Sequence, residues 1–185
     1  MKEPLSKYFV AVIPPQPWYD EVRKLKEQFR DEYGSSAALR SPAHITLHMP
    51  FLWPDRKLPE LVQVLDETCG TLSGTEVVLN GFGAFGERVI FIQAESSSGL
   101  RDIRDALVWN FRTKLNLLNA DYKDLPFHPH MTVAFRDLKK EAFHDAWSKF
   151  RIAKFTGAFP VTSVCLLKHD GRIWKEWKYF SLKEH

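Results

Sequence analysis

The chain has 185 residues, 44% of them hydrophobic and 26% charged, with 26 Lys+Arg against 23 Asp+Glu. This profile excludes disordered chains, which are poorer in apolar residues, and fibrous repeats, which are far more biased; at this length roughly 70% of the unfolded surface can be buried, so no disulfide staple is needed. A net charge of +3 fits one local anion site better than a face that grips long duplex nucleic acid through many phosphates.

Residues 8–13 form a compact β-branched and aromatic run ended by Pro14 and Pro15. The run is too short to span a membrane and reads as a strand buried on both faces. Residues 18–33 space Val22, Leu25, Phe29 and Tyr33 among charges as an amphipathic helix, stopped by Gly34. Residues 43–49 are short and β-rich, and 58–72 are again helical. Residues 76–79 and 88–94 predict two strands around a glycine turn. Residues 100–117 predict a helix through Ile103, Leu107, Phe111 and Leu115, and 129–135 a strand. Residues 138–150 predict a helix, and residues 161–167 and 174–182 close as a hairpin across Asp170-Gly171.

Each half reads strand, helix, short His-bearing strand, helix, further strand. The expected fold is α+β, with two pseudo-symmetric lobes of mixed or antiparallel sheet backed by helices. These lobes would form one domain over residues 1–185, intertwined, with halves of roughly 1–86 and 87–185. The two cysteines, Cys69 and Cys165, have no metal-ligand or disulfide-framework spacing. A monomeric cytoplasmic protein is expected, without cofactor or membrane partner.

The most specific signal is a repeated tripeptide, His44-Ile45-Thr46 followed by Leu47, and His130-Met131-Thr132 followed by Val133. Composition alone predicts roughly 0.3 His-x-Thr matches in such a chain. Strand side chains alternate faces, so each His and its Thr project from one side while their apolar neighbours face the core. In-line displacement at a phosphodiester needs a base on the attacking oxygen and an acid on the departing one. An imidazole can serve in either role near neutral pH. Threonine hydroxyls can hold the non-bridging oxygens, which stay negative throughout. Arg136, with Lys139 and Lys140 on a helix that Asp137 could cap, is the nearest source of positive charge.

The paired His-x-Thr strands, the 81–85 Gly-Phe-Gly-Ala-Phe segment and the stretch Phe127-His128-Pro129-His130-Met131-Thr132-Val133-Ala134 resemble the two-histidine phosphoesterase superfamily, in its 2'-5' RNA ligase-like branch. The resemblance covers nearly the whole chain. It implies a groove between two lobes and metal-independent opening of 2',3'-cyclic phosphates, at RNA 3' ends or on nucleotides, to 2'-phosphates. Some relatives also join RNA ends through a 2'-5' bond. By the same resemblance His44 is the proton donor to the leaving oxygen, His130 the acceptor that activates water, and Thr46 and Thr132 bind phosphate. Spacing alone leaves the two roles exchangeable. Gly86 stands where relatives often carry proline, and His48 and His128 are extra imidazoles, which leaves the substrate class open.

Zinc is the rival use of these histidines, since alternation places His44 with His48 and His128 with His130. Neither pair has a known ligand spacing, and no acidic or thiolate side chain clusters beside them in the sequence. His48 and His128 are expected at the rim or behind the motif residues, where they could contact substrate. Residues 81–86 match G-x-G-x-x-G by letters, but the next element is a strand rather than the helix a pyrophosphate requires, so they read as a turn. Phe85 and Phe127 could stack on a base, against the commoner fate of a phenylalanine as core. A catalytically silent module that binds nucleotides or RNA ends is the alternative to an enzyme, although such a module has no need of a second matched imidazole.

Overall fold

The elements, in chain order, are β1 (Leu5–Val12), α1 (Trp18–Tyr33), β2 (Ile45–Pro54), α2 (Leu58–Cys69), β3 (Thr75–Phe85), β4 (Val89–Ala94), α3 (Ser98–Leu115), β5 (His130–Ala134), α4 (Lys140–Phe150), β6 (Thr156–Val161), β7 (Ser163–His169) and β8 (Trp174–Ser181). They belong to a computed structural model that describes residues 3–95, 97–119 and 126–184. The fold is α+β, with two four-stranded antiparallel sheets ordered β2-β1-β7-β8 and β5-β4-β3-β6. The chain starts the first sheet, builds the whole of the second, and returns to finish the first.

Alternation along β1 explains why its run is apolar throughout. Tyr8, Val10 and Val12 enter the main core, whereas Phe9 and Ala11 pack on the opposite face with Cys165 and Leu167, flanked by Ile13 and Trp174. Both cysteine thiols are buried and free, and burial pushes each up to about 12, far from a reactive thiolate. Gly34 ends α1 as expected, at φ 69 with its N–H donating to the Arg30 carbonyl.

Three sequence expectations are corrected. The buried stripe of α1 is Val22, Lys26, Phe29 and Tyr33, with Leu25 only partly buried, so a lysine occupies a position the helical period reserves for the core. Of the segment 81–86, residues 81–85 are not a turn but the end of β3, and only Gly86 belongs to a turn. Pairing steps from Leu79 opposite Ala94 to Phe82 opposite Ile92, and Gly81, at φ 71, absorbs the irregularity because it has no Cβ. The turn follows at residues 86–88. The segment 161–167 is not one strand: β6 pairs with β3 in the second sheet and β7 with β1 in the first, with Thr162 alone between them. Two strands joined by a single residue carry no turn signal. The β7–β8 hairpin forms as expected, with Asp170 Oδ1 accepting from the N–H groups of Arg172 and Ile173, both at 2.9 Å.

Candidate active site

The edge strands β2 and β5, one from each sheet, approach one another between the sheets. His44 immediately precedes β2 and His130 opens β5. In the first sheet Ala11 pairs with Thr46 but Val10 pairs with His48, leaving Leu47 as an extra residue. In the second, Phe91 pairs with Thr132 but Ile90 pairs with Ala134, leaving Val133 extra. A β-bulge thus follows the threonine in each copy, and bulges re-aim the side chains around them. Burial repeats with the geometry: Ile45, Leu47 and His48 are buried around a half-buried Thr46, as are Met131, Val133 and Ala134 around Thr132.

Both imidazoles are half-buried and anchored alike. His44 Nδ1 lies 2.8 Å from the Pro42 carbonyl and His130 Nδ1 lies 2.8 Å from the His128 carbonyl, each two residues upstream. A carbonyl only accepts, so each Nδ1 carries the proton and donates it, which leaves Nε2 as the nitrogen available for chemistry. Each ring rests on a phenylalanine of the neighbouring strand at 4.9 Å, Phe9 for His44 and Phe91 for His130. Burial pushes both imidazoles below their ordinary range. At His44 the Lys26 ammonium adds to that, the Pro42 carbonyl opposes it, and His130 lowers it a little further; at His130 the His128 carbonyl raises and the His128 imidazole lowers. Both are therefore neutral near pH 7.

The remaining candidates divide. Phe85 and His128 join His130 in one aromatic cluster, with Phe85 5.0 Å from His130 and 5.4 Å from His128, and both are exposed. Phe127 faces the other way, under the Arg104 guanidinium at 5.6 Å and against the main core. Arg136 lies beyond the far end of β5, exposed, with φ 62 and its guanidinium over Phe135. Lys140 is engaged by Glu87 at 2.8 Å. Asp137 does not cap α4, whose N-cap is Lys139. Its carboxylate accepts instead from Ser35 Oγ at 2.8 Å, from the Ser36 and Ala37 N–H groups at 2.9 Å each, and from Ser36 Oγ at 3.2 Å. The clamp ties the segment after β5 to the one that leads into His44.

His48 is not at the rim. The bulge at Leu47 breaks the alternation that would have kept it beside His44 and sends it into the core, 1% exposed, with Phe111 at 4.9 Å and Phe51 at 5.3 Å. Its Nε2 is buried without a partner among the described residues, and burial pushes the imidazole down to about 4. Protonation then favours the unfolded chain, whose imidazoles titrate near 6.5. The resulting stability is complete above about pH 6.5 and is lost as pH falls toward 4, by about 3 kcal/mol from this group. His48→Leu should flatten urea-unfolding free energies over that window relative to the parent; an unchanged slope would refute the account.

Sequence reasoning missed Phe9, Phe91, Gln93 and Lys26. Gln93 pairs directly with His130 and its side-chain amide donates to the Phe82 carbonyl at 3.0 Å. The two phenylalanines are legible only as strand residues, because their position under an imidazole depends on which strand lies alongside. Among the described residues no three His, Cys, Asp or Glu side chains converge in metal-binding geometry, and no helix is long and apolar enough to cross a membrane.

Known proteins show the same architecture. The chain matches TT0787 of Thermus thermophilus with a TM-score of 0.70 at 22% identity, over 97% of this chain and 99% of that one. It matches Escherichia coli LigT, in a complex with 3'-AMP, with a TM-score of 0.67 at 19% identity, over 97% and 99%. A Geobacillus sp. (strain WCH70) protein named "Putative phosphoesterase" is 26% identical over 148 residues, 79% of this chain and 78% of its relative. The sequence model of the 2'-5' RNA ligase superfamily matches residues 13–173. That span takes in both His-x-Thr strands, the whole second sheet, and β2 and β7 of the first, and it shows that the chain belongs to the 2'-5' RNA ligase superfamily, the two-histidine phosphoesterases.

Proposed function

We propose that this protein is a metal-independent cyclic phosphodiesterase that opens 2',3'-cyclic phosphates, at RNA 3' ends or on nucleotides, to 2'-phosphates. The observation that carries the reading is the pair of matched imidazoles, each with Nδ1–H held by a carbonyl and Nε2 without a partner among the described residues, on bulged edge strands, one from each sheet. Water attacks phosphorus opposite the 3'-oxygen. His130 Nε2 takes the water proton, the new P–O bond forms, the P–O3' bond breaks, and His44 Nε2 gives its proton to the departing 3'-oxygen. Thr46 and Thr132 hold the non-bridging oxygens. His130, neutral in the free protein, is ready as a base. His44 must first gain a proton at Nε2, and the negative charge of the bound phosphate favours that gain. With the roles exchanged, the same site would join RNA ends through a 2'-5' bond. LigT binds 3'-AMP, ATP and NADP+, which supports a nucleotide phosphate as the substrate class. Exposed Phe85, beside His130 and His128, is suited to stack on its base.

The test is a purified sample given a 2',3'-cyclic nucleotide in EDTA, with products read by phosphorus NMR. A 2'-phosphate is expected. Because both imidazoles are pushed down, kcat/KM should follow a bell whose maximum lies on the acid side of about pH 6.5. Loss of turnover in EDTA would refute the metal-free mechanism, and a maximum well above neutrality would refute the pairing. Tight binding without turnover would identify a silent binding module.

A further inference from the structure

Lys26 projects from the buried stripe of α1 and is only 2% exposed. Its Nζ donates to the carbonyls of Ser41 and Pro42, at 3.0 Å each. The Pro42 carbonyl is the same oxygen that receives the His44 Nδ1 proton at 2.8 Å. One acceptor therefore joins the ammonium to the imidazole, and both of its lone pairs are used. Lys26 also lines a cavity of about 510 Å³ together with Ser41, Pro42 and Ala43, the residues that lead into His44. The charged side chains around that cavity are Arg23, Glu27 and Arg30 on α1 and Lys175 and Glu176 on β8. Arg23 is paired with Glu27, Arg30 with Asp31, and Lys175 with Asp170, while Glu176 accepts from the Tyr179 hydroxyl. The Lys26 ammonium is held by two carbonyl dipoles. From β5, His130 is the titratable group that acts on His44.

A buried cation held by dipoles costs stability, and an apolar residue at this point of the helix would remove that cost. Fixing residues 41–43, and through them His44, is what such a lysine does that a leucine would not. We propose that Lys26 is a positioning residue for His44, which holds the Ser41-Pro42 backbone, keeps the imidazole in its Nδ1–H form with Nε2 free, and by its charge keeps His44 singly protonated until an anionic substrate arrives. The inference deepens the phosphodiesterase reading and rests on it for the word substrate; the effect on His44 stands without it. Burial brings the Lys26 ammonium itself down to about 7. Its hold on His44 is therefore strongest below neutral pH and fades as pH rises through that value.

The test is the titration of His44 by NMR in ring-labelled protein without ligand, its signal assigned by loss in His44→Gln. Two variants separate charge from hydrogen bonding. Lys26→Met removes both, and Lys26→Gln keeps an amide donor without charge. In both, the His44 midpoint should rise by about one pH unit, the scale set by a neighbouring like charge. In Lys26→Met, kcat should also fall about tenfold with KM nearly unchanged, and Lys26→Gln should recover part of that loss. A His44 midpoint within about 0.2 units of the parent in a folded variant would overturn the proposal and reduce Lys26 to a structural residue. Should Lys26→Met fail to fold, Lys26→Gln carries the same titration. The titration needs no turnover, so its result is independent of whether the cyclic phosphate is the correct substrate.

Discussion

His130→Ala is expected to lower turnover of a 2',3'-cyclic nucleotide by about 1,000-fold or more while leaving the fold intact, and His44→Ala should do nearly the same. Each removes one end of the proposed proton transfer, and a positioned acid or base contributes about 100- to 10,000-fold. The double variant should be scarcely worse than either single one, because residues that act as a unit are not additive. Both imidazoles are half-buried and lie against one phenylalanine face each, so truncation should cost about 1 kcal/mol of stability, readable as a small shift in urea midpoint. Steady-state rates with 2',3'-cyclic AMP, measured beside that midpoint, separate the two effects. A variant at either histidine that keeps a tenth of the parent rate would remove that residue from the mechanism. The pH profile offers a second reading. Each single variant should lose one limb of the bell, whichever role its histidine plays.

Gly83→Ala should also damage activity, although residue 83 is proposed to touch no substrate. A Cβ at that position would stand 2.5 Å from the Phe91 ring and 3.0 Å from Gln93 Nε2. The Phe91 ring is held between Phe85 at 4.3 Å and His130 at 4.9 Å. It cannot retreat from the new methyl without moving against His130. Overpacking of this kind costs about 2 kcal/mol, and displacement of a catalytic group by about 1 Å can cost about 100-fold in rate. Gly81→Ala is the control. Its φ of 71 makes any side chain strained, yet among the described residues none beyond its chain neighbours comes within 4 Å of the new Cβ, so about 1 kcal/mol of stability should go without a matching loss of rate. A Gly83→Ala/Phe91→Leu pair should recover stability relative to Gly83→Ala, since the two sites share one contact. Equal rates in Gly83→Ala and the parent would show that Phe91 does not support His130.

Much of this is readable along the chain because it is local. The helix over 18–33, the Gly34 stop and the Asp170-Gly171 hairpin follow from spacing and turn chemistry, and the structure has each of them. The two His-x-Thr copies are readable as strand residues with one apolar and one polar face, and Ile45, Leu47, Met131 and Val133 are buried as that predicts. The errors have a common origin. Alternation, the only rule a sequence offers here, places His48 beside His44, yet the extra residue Leu47 turns it into the core. The glycines of 81–86 suggest a turn because glycine is a turn signal, whereas Gly81 serves a bulge and Gly83 a ring.

Residue identity by itself determined the chemistry at stake: two imidazoles, two hydroxyls and the α+β alternation that presents them, all set by neighbours within a few positions. Only the tertiary structure decided that the strands carrying His44 and His130 approach one another, that Phe9 and Phe91 lie under their rings, that Asp137 clamps the segment leading to His44, and that Lys26 shares a carbonyl with His44. Each of these depends on which distant strand, helix or loop packs alongside. Periodicity reports which face of an element is buried, but not what it is buried against.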